Sequence, residues 1–208
     1  TRSDRDWSSD VCSSDLNIME RKGLNRALNE EFTKFKNSYL SSVRHFSSSD
    51  PCIFISHKKE DKKDAADLAK YIEEAGIDVF FDANDENLNN PEVLKNPARV
   101  TAAINNALSK STHMIAVVSN KTKESWWVPY EIGFATKNNS GSESIRALFI
   151  KGFTQQTPEY LDIIRKIKST DDLDSFLKTV SNTPRLLNES TIKNFSQYTS
   201  HPMKSILL

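Results

Sequence analysis

The chain has 208 residues, which is enough for one domain of ordinary size with extensions. Its 28 Lys and Arg residues balance 28 Asp and Glu residues, so it carries no net charge and no basic stripe, which excludes nucleic acid as an expected partner. No apolar run approaches the ~20 residues that span a membrane. Two distant cysteines, Cys12 and Cys52, fit neither a disulfide framework nor a metal site. A cytoplasmic protein without a membrane partner is therefore expected.

The chain begins with two segments that precede the main domain. Residues 1–16 are aperiodic and rich in Ser and Asp, and we interpret them as a non-native leader, with Met19 as the expected natural start. In residues 17–49, apolar side chains recur at three- and four-residue steps, which predicts one amphipathic helix over 18–45. Such a helix suits packing or self-association. The run from Ser47 to Pro51 then marks the start of a domain over 50–180.

Within this domain, short apolar runs alternate with helical patterns. Strands are predicted at 52–56, 77–81, 114–118 and 145–150, and helices at 64–75, 97–108, from about 125, at 158–168 and at 171–180. Strands that are apolar on both faces and alternate with helices indicate a parallel sheet covered on two sides. The prediction is a flavodoxin-like α/β fold with a central parallel sheet of four to five strands. Residues 181–208 are interpreted as a polar tail.

Polar side chains follow the carboxyl ends of the predicted strands, where open α/β sheets bind ligands. Ser56, His57 and Lys58 come after the first strand. Asp82 and a long polar loop come after the second, and the helix after the third strand carries Glu131. These residues are expected to converge on one rim of the sheet.

Trp127 and Glu131 are the most informative pair on this rim. Because residues four apart share a helix face, the indole and the carboxylate point the same way. Pro129 is tolerated in a first helical turn, and Ser125 can cap the helix, so Glu131 lies near the helix start. A carboxylate beside an indole suits a site that stabilises a cationic intermediate and stacks an aromatic ring. A solvated Glu on an amphipathic helix is the alternative.

Several kinds of site are excluded by missing motifs. The chain has no GxGxxG, no GxxxxGK[ST], no HExxH and no Cys/His cluster, so neither a cofactor nor a metal ion is expected. Ser56 is not in a GxSxG turn, which argues against a serine hydrolase. His57 is compatible with acid–base chemistry, but a lone His after a strand is more often a polar cap.

Three segments resemble the conserved boxes of Toll/interleukin-1 receptor (TIR) domains. Residues 54–61 (FISHKKED) are similar to the first box, residues 79–82 (VFFD) with the loop after them to the second strand and BB loop, and residues 125–132 (SWWVPYEI) to the third box. They occur in the family's order and spacing. The likeness is to prokaryotic TIR domains, including those of the Thoeris anti-phage system, rather than to animal receptor adaptors.

This resemblance implies an enzyme that takes NAD+ as its substrate. Members with this activity cleave the nicotinamide–ribose bond and give ADP-ribose or a cyclic ADP-ribose isomer, and Glu131 would be the catalytic glutamate and Trp127 the tryptophan of WxxxE. The family likeness also implies self-association, here through the TIR domain and the N-terminal helix. An effector that responds to the product is a further expected partner, in bacterial antiviral defence.

Most of the other rim residues have two interpretations. Asp82 would bond a ribose hydroxyl or only begin the loop as a turn residue. Ser56 and Phe81 would line the pocket, although Phe81 fits the core nearly as well. Lys58 would meet the pyrophosphate or be solvated, and Trp126 is expected to pack.

Two further functions compete with NAD+ cleavage. One is a TIR interaction module without catalysis, which would need neither Trp127 nor Glu131 in this arrangement. The other is an enzyme like nucleoside 2-deoxyribosyltransferase, in which a Glu on a similar sheet attacks a deoxyribose, and the first TIR-like box argues against it.

Overall fold

A parallel sheet forms the centre of the domain. The computed structural model describes residues 22–28, 50–81, 95–138, 141–181 and 200–207. Within them, five strands pair in the order β2-β1-β3-β4-β5, all parallel. The strands are β1 (Cys52–Ser56), β2 (Asp78–Phe80), β3 (His113–Val118), β4 (Ile145–Phe149) and β5 (Arg165–Ile167).

Helices cover both faces of this sheet. They are α1 (Lys62–Glu74), α2 (Pro97–Ser109), α3 (Trp127–Asn138) and α4 (Thr170–Ser181). Ile53 and Ile55 of β1 pack on the side of α1 and α4, whereas Phe54 packs on the side of α2 and α3. Because every residue of β1 is buried, the strand is apolar on both faces, as the sequence pattern requires. The prediction of a flavodoxin-like α/β fold is confirmed.

The end of α1 shows how the sequence sets a boundary. Gly76 has φ +82°, the left-handed conformation that glycine adopts without steric cost. Its N–H donates to the Glu73 carbonyl, and the Ile77 N–H donates to the Ile72 carbonyl at 3.2 Å, which together form a Schellman motif. The chain is thereby turned directly into β2, in agreement with a helix predicted to end at residue 75.

The strand order creates a crevice between β1 and β3. The connection from β1 leads outward to β2 on one side, and later strands add on the other side of β1, so the winding reverses at this point. Ser56 is the last residue of β1 and pairs with Ala116 of β3. The loops after both strands therefore diverge above Ser56, which is where such sheets bind ligands.

The helix predicted at 158–168 is wrong. Residues Glu159–Leu161 form one turn of 3-10 helix, and residues Arg165–Ile167 form β5 at the sheet edge. Leu161, Ile164 and Ile167 are all buried, and their three-residue spacing imitates a helical stripe. A short edge strand with outward charges, here the exposed Arg165, is a common protection against edge pairing.

The N-terminal helix predicted over 18–45 is wrong at its described start. Residues 22–25 are not helical, and Asn25 forms a parallel bridge with Val79 of β2. Only residues 26–28 are helical, and the remainder of the predicted helix lies outside the described residues. The physical reason is the free edge of β2, which offers backbone hydrogen bonds that outweigh the helical preference of this stretch.

The C-terminal stretch interpreted as a polar tail contributes to the core. Pro202–Ser205 form a 3-10 turn, and Leu207 forms an antiparallel bridge with Ile150 at the end of β4. Met203, Ile206 and Leu207 are buried on the side of α1 and α4. Residues 182–199 lie outside the described part of the chain.

Candidate active site

The centre of the candidate site is the carboxylate of Glu131 on α3. Its side chain is buried, with the residue only 7% exposed, so the interpretation as a solvated helix face is wrong. The hydroxyl of Ser56, itself 2% exposed, donates a hydrogen bond to Oε2 of Glu131. The structure thus brings together two residues that the sequence assigns to one rim.

The position of Glu131 on its helix is unusual for a carboxylate. The buried residues of α3 are Val128, Glu131, Ile132 and Ala135, which follow the three- and four-residue steps of a core-facing stripe. Glu131 therefore occupies a place where the helix pattern favours an apolar side chain. Burial of a carboxylate costs free energy unless hydrogen bonds or charges offset it, and such local conflicts are expected at functional positions.

The start of α3 follows the predicted capping chemistry. The Val128 N–H donates to Oγ of Ser125 at 3.3 Å, and Pro129 lies within the first turn, where its missing N–H costs no helical hydrogen bond. This local chemistry fixes the helix phase, and with it the inward direction of Glu131.

Two tryptophans at the helix start differ in exposure. Trp127 is 38% exposed and its ring meets Tyr130 edge-on, with centroids 6.0 Å apart and planes at 85°. The indole is therefore partly accessible to a ligand. Trp126 is 91% exposed, so the expectation that it packs is wrong. Trp126 lies before the first residue of α3, outside the stripe that faces the core.

His57 and Phe81 form an aromatic pair beside Ser56. Their ring centroids are 5.1 Å apart with an interplanar angle of 42°. Phe81 is 7% exposed and belongs to the core on the α1 side, which agrees with its core interpretation, and its role in lining a pocket stays a prediction. Nδ1 of His57 lies 3.4 Å from the Ile55 carbonyl, a long contact that holds the ring weakly.

Lys58 bridges the two loops that border the crevice. Its ammonium lies 2.8 Å from Oε2 of Glu124, in the 3-10 turn Thr122–Glu124 that precedes α3. This hydrogen bond raises the pKa of Lys58, and the same contact lowers the pKa of Glu124. The ammonium is therefore paired and not merely solvated, and any contact with a pyrophosphate would compete with Glu124.

A second contact, which is buried, joins the same loops. The Ser119 hydroxyl donates to Oδ2 of Asp61 at 2.6 Å, and the Ser119 N–H donates to Oγ1 of Thr122 at 2.8 Å. Asp61 is 6% exposed, so this contact is shielded from water. Asp61, Ser119 and Glu124 are not among the predicted site residues. Their polar character near the strand ends was the only available signal.

The remaining predicted site residue lies outside the described residues. This residue is Asp82, which directly follows Phe81. In the described part of the chain, no cluster of His, Cys, Asp and Glu side chains is suited to a metal ion. No helix there has the length and apolar character needed to cross a membrane.

Comparison with known families agrees with this geometry. The fold and the site define a doubly wound α/β domain with a buried carboxylate at the crevice where its winding reverses. Residues 53–180 match the TIR domain, and the chain belongs to the TIR domain family. No curated protein has a matching sequence. Membership supports signalling or NAD+ cleavage in general terms, and it favours both TIR interpretations over the deoxyribosyltransferase.

Proposed function

We propose that this protein is an NAD+ glycohydrolase or ADP-ribosyl cyclase that cleaves the nicotinamide–ribose bond. The observation that carries the proposal is the buried carboxylate of Glu131, which accepts the Ser56 hydrogen bond at the end of β1. A residue that costs stability at its position, in the crevice where this fold binds ligands, is best explained by chemistry.

The reaction needs little from the protein beyond electrostatic stabilisation. Nicotinamide leaves a pyridinium as a neutral base, so no general acid has to protonate it. The barrier lies in forming an oxocarbenium-like ribose, as in glycoside cleavage. A fixed carboxylate near the anomeric carbon stabilises that cation, and Glu131 supplies it. Ser56 holds the carboxylate in one orientation, so little reorganisation is required during the reaction.

Trp127 is assigned to the aromatic part of the substrate. Its partly exposed ring lies one helical turn before Glu131 and can stack on nicotinamide or, after nicotinamide leaves, on the returning adenine. Hydrolysis gives ADP-ribose when water reaches the ribose first, and cyclisation follows when adenine does. Trp127 therefore influences which product forms.

The biological setting follows from the prokaryotic likeness of the three boxes. We infer a role in bacterial anti-phage defence, in which the product acts as a signal for an effector. TIR domains generally self-associate, so assembly of several copies would accompany activity.

A non-catalytic interaction module is the second candidate. The observation that favours it is an exposed aromatic group at the start of α3, formed by Trp126, Trp127 and Tyr130 with exposures of 91%, 38% and 37%. Exposed aromatic side chains in one place are typical of binding surfaces. This account, however, leaves the buried Glu131 unexplained.

Incubation with NAD+ separates the two candidates. Nicotinamide, ADP-ribose and cyclic isomers are resolved by chromatography over a series of protein concentrations that promotes assembly. Release of nicotinamide in proportion to time supports the enzyme. Intact NAD+ in samples that light scattering shows to be assembled favours the module.

A further inference from the structure

A short segment before the TIR domain is built into its sheet. Residues 22–28, here called the edge segment, lie beside β2, whose other neighbour is β1. The Val79 N–H donates to the Leu24 carbonyl at 3.0 Å, and the Gly23 N–H donates to the Glu73 carbonyl at 2.7 Å. The edge segment thus uses the hydrogen-bonding groups that an edge strand leaves open.

The fit of the edge segment depends on Gly23. A Cβ atom there would lie 1.9 Å from the carbonyl oxygen of Ile77. Because that oxygen belongs to the backbone, no side-chain adjustment could relieve the clash. The close approach is therefore specific to glycine and fixes the edge segment against the chain between α1 and β2.

A buried ion pair anchors the same segment. Nη2 of Arg26 lies 3.0 Å from Oδ2 of Asp78, and the two side chains are 5% and 0% exposed. The guanidinium also donates to the carbonyls of Lys110 and Asp50 at 3.1 and 3.2 Å. Asp78 accepts the Leu24 N–H with its other oxygen at 3.1 Å. The buried charge of Asp78 is thus compensated by Arg26, which lies outside residues 53–180, the region that matches the family.

Asn25 connects this anchor with the candidate site. Its Nδ2 donates to the Phe81 carbonyl at 2.9 Å, and its Oδ1 accepts the Phe81 N–H at 3.3 Å. One amide side chain therefore satisfies both backbone groups of Phe81, in the way that a neighbouring strand would. The Phe81 ring in turn contacts His57, the residue after Ser56.

From these contacts we propose that Asn25 is a positioning residue for NAD+ binding, which acts through Phe81 and His57. The inference rests on the proposed function and deepens it. Asn25 holds the backbone of Phe81, Phe81 contacts the ring of His57, and His57 directly follows Ser56, whose hydroxyl donates to Glu131. Residues 22–28 are then part of the active unit, although the family match begins at residue 53.

The structural half of this proposal is tested in the full chain without substrate. In Asn25→Ala, amide exchange measured by NMR should show the Phe81 N–H exchanging about fivefold faster or more, which is the factor that one ordinary hydrogen bond contributes. The amide of Ile115 in β3 serves as the internal reference. The His57 ring proton signals should move as well. Leu28→Ala, at a 39% exposed position of the same segment, is the matched control and should change neither.

A second variant keeps the test informative if Asn25→Ala folds poorly. Asn25→Asp retains an oxygen that accepts the Phe81 N–H but loses the donor to the Phe81 carbonyl. Its Phe81 amide should remain close to wild-type protection while the His57 signals shift. An unchanged Phe81 amide in Asn25→Ala, together with unchanged His57 signals in both variants, would overturn the proposal.

The functional half is read from the Michaelis parameters. Asn25→Ala should raise KM for NAD+ severalfold and change kcat less, because His57, which Phe81 supports, would contact the substrate equally before and during cleavage. An unchanged KM in an active Asn25→Ala protein overturns the positioning role. If the wild-type protein cleaves no NAD+, the proposed function fails, and the exchange data still decide whether Asn25 holds Phe81.

Discussion

The hydroxyl of Ser56 donates a hydrogen bond to the carboxylate of Glu131, although 75 residues separate them in the chain. Ser56 ends β1, and Glu131 lies on the helix that follows β3. Their contact therefore spans the crevice at which the winding of the sheet reverses. Two residues that lie far apart in the sequence therefore form one buried polar pair.

Replacement of Ser56 by Ala should reduce the proposed NAD+ cleavage without unfolding the protein. The carboxylate loses a hydrogen-bond donor and the orientation that it imposes, and a hydrogen bond to a charged group is typically worth tenfold or more in an equilibrium, so a kcat decrease of about tenfold is expected. Ser109→Ala, at an exposed position of α2, is the matched control. Equal rates for Ser56→Ala and Ser109→Ala would show that the contact is only structural.

Replacement of Trp127 and replacement of Trp126 should have different effects on the ratio of the two products. Trp127→Ala should change the ratio of cyclic product to ADP-ribose, because its partly exposed ring is the one available to stack on adenine beside Glu131. Trp126→Ala removes the same side chain from a 91% exposed position one residue earlier and should leave the ratio as in wild type. Chromatography of the products at matched extents of NAD+ consumption measures both. A shift of equal size in the two variants would contradict the assignment.

Two glycine substitutions should act on stability in opposite directions. In Gly23→Ala the new Cβ meets the Ile77 carbonyl, so a loss of about 1–3 kcal/mol is expected from overpacking against the backbone. At Gly133, on the exposed side of α3, a Cβ meets nothing within 4 Å, so Gly133→Ala should gain about 0.5–1 kcal/mol from helix propensity. Denaturant unfolding measures both. A stable Gly23→Ala protein would mean that the edge segment does not dock as described.

Stability should fall at acid pH in a way that depends on His113. Burial, followed by the charge of Arg146, lowers the pKa of His113 to about 4. Between this value and its ordinary value near 6.5, the unfolded chain binds a proton that the folded protein does not, so the free energy of unfolding decreases as the pH falls.

The contribution of this one residue has a limiting slope of about 1.4 kcal/mol per pH unit. His113→Gln should therefore show a smaller decrease in the free energy of unfolding between pH 6.5 and pH 4.5 than wild type. Urea titrations at several pH values give the difference. Parallel curves for the two proteins would show that His113 is protonated when folded.

The core of the fold was predictable because its strands are apolar on both faces. Such strands identify a parallel sheet without knowledge of any tertiary contact, and the helices between them follow from capping residues such as Gly76 and Ser125. The error at residues 158–168 has a physical cause. Leu161, Ile164 and Ile167 have a spacing that a turn followed by an edge strand buries as well as a helix does.

The candidate site was predictable in part. Ser56 and Glu131 could be placed on one rim because each follows a strand of the same sheet. The pairing of Lys58 with Glu124 could not be predicted, because the two residues are 66 apart in the chain. Their contact depends on side-chain conformations that leave no periodic pattern in the sequence.

The docking of the edge segment was likewise hidden in the sequence. One signal was nevertheless present, since a strand apolar on both faces contained Asp78, and a buried carboxylate requires a cation or donors. Arg26 supplies that cation, but it lies 52 residues earlier in the chain. Local periodicity does not register so distant a contact, and around Arg26 it therefore favoured a helix.

The initial rate of nicotinamide release from NAD+ is the most direct test that Glu131 performs the cleavage. Wild type, Glu131→Gln and Glu159→Gln are compared at equal concentration after circular dichroism shows equal folded content. Glu159→Gln is the matched control, because it makes the same substitution at an exposed position. Glu131→Gln should lose about 100-fold or more of the rate, while Glu159→Gln should retain it. A rate for Glu131→Gln equal to that of an active wild-type protein would contradict this account.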